Sequence, residues 1–178
     1  MRILCNYTII FLNRRNSPAY IRDTEGFQIS SSRREIAMVQ LIVGKKGKGK
    51  TKALLDHVNA AIKEANGNIV YIDKSSKHMF ELNNKIRLID ASIFPLKNSD
   101  EFVGFLCGIL SQDHDLEDMY LDSFLKVARL EDSHDKIDDC LTQLEAISQQ
   151  FHVNFILSVS IDKEELTPLA QEKVLIAL

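Results

Sequence analysis

The chain has 178 residues, 45% of them apolar and 26% charged, with a net charge of −3. That length suits one domain with a sizeable core. The balance excludes a disordered, highly charged tail and gives no strong pull towards nucleic acid or anionic lipid.

Residues 1–37 differ from the rest. They hold six arginines (Arg2, Arg14, Arg15, Arg22, Arg33, Arg34) and no lysine, whereas residues 38–178 hold fourteen lysines and only Arg87 and Arg129. The apolar run Ile9 to Leu12 is far too short to span a bilayer. It also lacks the uninterrupted core and cleavage site of a signal peptide. Asn16-Ser17-Pro18 and Ser30-Ser31-Ser32 read as loop. The expectation is a non-native or disordered extension over 1–37. Met38 would be the natural start, and Arg33-Arg34 would be encoded by a purine-rich ribosome-binding sequence.

From Met38 the pattern becomes that of a folded domain. Met38 to Val43 is a short buried strand by composition. Gly44-Lys45-Lys46-Gly47-Lys48-Gly49-Lys50-Thr51 then matches G-x-x-x-x-G-K-[ST]. Leu54, Leu55, Val58, Ala61, Ile62 and Ala65 follow at helical spacing, which predicts a helix over roughly 50–65. The physics of the octapeptide is local. Gly44, Gly47 and Gly49 permit a tight turn with inward N–H groups. The helix start adds the positive end of its dipole.

Asn66-Gly67-Asn68 stops that helix, and Ile69 to Ile72 forms a second strand ending in Asp73. His78 to Leu82 reads as a short strand or one helical turn. Ile86 to Ile89 is a third strand ending in Asp90. Asn98 with Glu101 forms a capping box for a helix whose stripe is Phe102, Val103, Leu106, Ile109 and Leu110. Leu116 to Leu121 leads to Asp122. An amphipathic helix is expected over about 133–150, then a strand over 153–161. A last helix starts at Thr167-Pro168. This alternation predicts an α/β fold of three layers, with a mostly parallel sheet of about five strands and helices on both faces.

The octapeptide resembles the Walker A motif of P-loop NTPases. The layout from Met38 onward resembles small single-domain bacterial P-loop proteins, some of which carry the label twitching motility (PilT-type) ATPase. The resemblance implies a nucleotide-binding domain over 38–178, with ATP and Mg²⁺ as cofactors. Gly44, Lys45, Lys46, Gly47, Lys48, Gly49, Lys50 and Thr51 would hold the phosphates. Lys50 would act as the catalytic cation on the β- and γ-phosphates, and Thr51 would ligate the metal. The second metal ligand would be an aspartate at the end of an apolar strand. Asp73, Asp90, Asp122 and Asp162 all qualify; chain position favours Asp122, with Asp73 next. Ser158 or Ser160 would sense the γ-phosphate, and Arg129 is a candidate arginine finger.

Ser123 stands where hydrolysing members place glutamate, so the expected activity is slow ATP hydrolysis. The alternative is a nucleotide-responsive binding module that signals through an unknown protein partner. Asn84-Lys85-Ile86-Arg87 lacks the aspartate of a guanine-reading N-K-x-D, which favours ATP over GTP. Lys45, Lys46 and Lys48 could grip further phosphates. His114, between Asp113 and Asp115, is a weak candidate metal ligand. Cys5, Cys107 and Cys140 show no metal spacing, and Cys107 and Cys140 fall on apolar helix faces, a pattern that suits a reducing cytoplasm.

Overall fold

The computed structural model describes residues 38–178; the expectation for 1–37 lies outside them. Among the described residues, six strands form one all-parallel sheet in the order β3-β2-β4-β5-β1-β6. The strands are β1 Val39–Val43, β2 Asn68–Asp73, β3 Arg87–Asp90, β4 Leu116–Leu121, β5 Asn154–Val159 and β6 Val174–Ala177. The helices are α1 Lys50–Ala61, α2 Ser99–Gln112, α3 Phe124–Val127, α4 Ile137–Phe151 and α5 Pro168–Gln171.

The strands are short apolar runs because both faces of the sheet are covered, as parallel sheets require. Successive side chains point to opposite faces. Ile42, Tyr71, Tyr120 and Ile156 pack with Leu54, Leu55, Val58 and Ile62 around α1. Leu41, Val43, Ile72, Leu121 and Leu157 pack on the other face, with residues of α2, α3, α4 and α5. The described residues therefore form a three-layer α/β structure.

Two elements depart from expectation. The sheet has six strands rather than about five, because the segment read as a last helix is mostly not helical. Thr167 does cap α5, accepting from the Ala170 N–H at 3.3 Å, but the helix lasts one turn. Val174 to Ala177 then pairs with β1, with Leu178 N–H donating to Val43 O at 3.0 Å. A β-branched apolar run beside an interior strand gains a ladder that a short terminal helix could not match. His78 to Leu82 is neither a strand nor an α-helix; it is a turn, tied by Glu81 N–H to His78 O at 3.0 Å.

Strand order also sets where a ligand can enter. β1 is followed by α1 on one face, while its neighbour β5 is followed by α5 on the other. Chains that leave adjacent strands for opposite faces open a crevice at the strands' C-terminal ends. The crevice at β1 and β5 opens where residues 44–51 lie.

At the far end of the sheet, Gly67 makes the turn into β2. A Cβ there would lie 2.0 Å from Asp115 O and 2.8 Å from Glu117 Cγ. Gly67→Ala is expected to lower stability by about 1–3 kcal/mol. Urea unfolding should show a lower midpoint with an unchanged slope.

Candidate functional site

The loop leaves β1 at Gly44, whose φ of 142° suits glycine. A Cβ at Gly44 would come within 2.7 Å of Leu178 O, so the end of β6 closes over this position. Gly44 N–H donates to Ile161 O at 2.8 Å, and Lys45 N–H donates to Asp162 Oδ1 at 3.0 Å. Lys45 Nζ also pairs with Asp162 Oδ2 at 3.1 Å. These contacts pin the loop after β1 to the loop after β5. Their electrostatic effect is to raise the Lys45 pKa, first through its bond to Asp162.

Residues 45–49 are exposed, and Gly47 and Gly49 take φ of 89° and 91°. α1 then begins with no side-chain cap and no acidic residue in its first turn. Its first N–H groups therefore lack a capping side chain, and the positive end of the dipole stays unneutralised locally. Lys50 is only 7% exposed, and its Nζ donates to Lys45 O at 2.8 Å. Burial lowers its pKa, opposed by the charges of Asp122 and Asp162.

Asp122 lies opposite Asp73, in register beyond the pair Ile72 and Leu121, and its N–H donates to Ile72 O at 2.8 Å. Its side chain is buried, 2% exposed. Oδ1 accepts from Ser158 Oγ at 2.5 Å, Ser123 N–H at 2.7 Å and Thr51 Oγ1 at 3.3 Å. Thr51, after β1, and Asp122, after β4, are thus brought together across β5, which lies between those two strands. Ser123 takes a left-handed φ of 51°. This turns the chain sharply from β4 into α3, and Ser123 N–H also reaches Ser158 Oγ at 2.8 Å.

The other strand-end aspartates serve different ends. Asp90 accepts from Ser92 N–H and Ser92 Oγ, at 2.9 and 2.6 Å, capping a 3-10 turn. Asp162 holds Lys45. Asp73 is 1% exposed and accepts from Lys74 N–H at 2.6 Å. Burial, then the charge of Asp122, raises its pKa. Ligand atoms of Asp73, His78 and Asp122 all lie within 4.8 Å of one another.

A cleft of about 360 Å³ opens beside this cluster, lined among others by Lys46, Lys74, Ser123, Lys126, Glu131 and Ser160. Ser158 is buried against Asp122, whereas Ser160 faces the cleft. Arg129 donates from Nε to Leu96 O at 2.9 Å, which ties it to its own domain. Asp113 accepts from Asn68 Nδ2 at the opposite end of β4, away from the cleft, so His114 sits in a structural turn. Cys140 is buried, which pushes its thiol up to about 12.

Sequence reasoning did not single out Lys74, Lys126, Glu131 or His78. No short motif marks them; they converge because parallel strands end together. Compared with protein-family models and with curated proteins, the chain gives no match.

Ser158→Ala removes a donor to a buried carboxylate and an acceptor of the Ser123 N–H. The expected loss is about 1–3 kcal/mol of stability, read by chemical denaturation. Ser158→Thr, which keeps the hydroxyl, should recover part of it.

Proposed function

We propose that residues 38–178 form a P-loop nucleotide-binding domain that takes Mg-ATP and hydrolyses it slowly. The observation that carries this reading is the meeting of Thr51 Oγ1 and Asp122 Oδ1 at 3.3 Å, beside an uncapped helix start. Two oxygens at that spacing suit adjacent corners of a Mg²⁺ octahedron, whose edge is about 2.9 Å. The donor set, one hydroxyl and one carboxylate, is oxygen only, as Mg²⁺ prefers. The residues therefore fit the group.

Each residue then has a role. The N–H groups of 46–50 and the dipole of α1 receive phosphate oxygens. Lys50, poised on Lys45 O, exchanges that neutral acceptor for charged phosphate oxygens, a stronger bond. Thr51 and Asp122 would hold Mg²⁺, which supplies charge neutralisation to the transferring phosphoryl group. Ser160 faces the cleft where a terminal phosphate would end. ATP is preferred over GTP in this reading. Asn84 to Arg87 lacks the guanine-reading aspartate and lies at the N-terminal end of β3, away from the crevice.

Ser123 favours a second reading, a nucleotide-responsive module with little turnover. Its N–H is engaged by Asp122 and Ser158, and its side chain cannot act as a carboxylate base. Glu131 is the carboxylate on the cleft and the candidate for orienting water.

Calorimetric titration with ATP, ADP and GTP, with and without Mg²⁺, tests binding. Lys50→Ala is expected to weaken ATP by about 10- to 100-fold, and Thr51→Ala to remove the benefit of Mg²⁺. ATP affinity unchanged in Lys50→Ala would refute the reading. Phosphate release separates the two forms. The slow hydrolase releases phosphate in a manner lost in Lys50→Ala and Glu131→Gln, while the module binds ATP and releases none.

A further inference from the structure

We propose that Asp73, His78 and Asp122 form a second cation site, for a divalent first-row transition metal, that needs no nucleotide. It shares only Asp122 with the Mg-ATP reading and stands without it.

The placement follows from the sheet. β2 and β4 are neighbours in parallel register, so Asp73 and Asp122 end side by side on one face. The two buried carboxylates come within contact range, and like charges this close repel each other. Among the described residues, neither forms an ion pair with a lysine or arginine. Lys50, whose charge does act on Asp122, donates to Lys45 O instead. The hydrogen bonds that Asp122 accepts from Thr51, Ser123 and Ser158 all fall on Oδ1, which leaves Oδ2 turned towards the cluster as the ligand oxygen.

His78 brings the third ligand from the turn after β2. Glu81 Oε1 lies 2.7 Å from its Nδ1. A carboxylate on Nδ1 holds the proton there and leaves Nε2 with its lone pair. This carboxylate–imidazole relay is the arrangement that orients metal-bound histidines. An imidazole beside two carboxylates selects Mn²⁺, Fe²⁺, Co²⁺ or Zn²⁺ over Mg²⁺, which prefers oxygen alone.

Tyr71 supplies an independent sign. It is fully buried, two residues before Asp73 on the same face, and stacks on Tyr120, two residues before Asp122. Its hydroxyl lies beside the Asp122 carboxylate but meets hydrogen-bond geometry with no described residue. A buried hydroxyl left unpaired beside two carboxylates is costly. A hydrated cation between those carboxylates would give that hydroxyl water to bond.

The test titrates the full chain with MnCl₂ in the absence of nucleotide, reading free Mn²⁺ by its electron paramagnetic resonance. One ion is expected to bind. Asp73→Asn and His78→Ala should each weaken it by about 100-fold, and Asp90→Asn, at a strand end outside the cluster, should leave it unchanged. In the unaltered chain, bound Mn²⁺ should broaden the His78 ring proton resonances beyond detection. This readout stands even where a variant fails to fold. Absence of Mn²⁺ binding, equal binding by the Asp73 and His78 variants, or sharp His78 resonances with the ion bound would each overturn the proposal. Loss of the ion in Thr51→Ala alone would overturn it too, placing the metal at the loop. Because no nucleotide is present, failure of ATP to bind would leave this result standing.

Discussion

The site depends on one buried carboxylate. Asp122 is buried at the end of β4, out of reach of bulk water, so its oxygens need hydrogen-bond donors from the protein. Those donors come from three different segments: Thr51 from α1, Ser158 from β5, and the main chain of Ser123 at the entry to α3. Each contact fixes one wall of the crevice relative to the others. The left-handed conformation of Ser123 belongs to the same constraint, since it aims the Ser123 N–H at both Asp122 and Ser158.

Parallel topology explains why acidic residues collect here and why they do not all do the same thing. Strands that run the same way bring their C-terminal ends to one rim, where loops can offer polar groups. Asp90 caps a local turn and Asp162 grips the loop after β1. Asp73 and Asp122 alone are buried, facing the layer of α1. Position across the sheet, rather than along the chain, decides the outcome. β3 is an edge strand, so Asp90 ends far from the loop. β5 lies beside β1, so Asp162 ends against it.

This is also why some features were legible in the sequence and others were not. The strand–loop–helix from Val39 to Ala61 carries its determinants within two dozen residues: glycines, an apolar run and a helical stripe. The three-layer class was legible from alternating apolar runs. β6 was not, because four apolar residues after a helix-start signal fit either period, and only the open edge of β1 decides between them. His78 was opaque for a related reason. A lone histidine in a turn reads as surface until the strand ends beside it are placed. The role of each aspartate was ranked by chain position, but its actual partner depends on residues up to 117 positions away, as for Lys45 and Asp162.

Electrostatics ties the two halves of the crevice together. Beneath it lie the buried carboxylates Asp73 and Asp122, while its lining is mostly basic, with Lys46, Lys74 and Lys126 beside the single carboxylate of Glu131. An anion alone would be drawn to the rim and repelled by the floor. A cation alone would be drawn to the floor and repelled by the rim. Under the proposed reading the two together would satisfy both layers, because a metal on Asp122 would present positive charge to a phosphate at the lysines and the start of α1. Layered charge of this kind would favour a metal–phosphate pair in the crevice, while the buried carboxylates with His78 would still take a cation alone. Under the proposed reading, ATP therefore enters with its metal, and the protein's contribution is to hold both charges at fixed separation before any bond is broken.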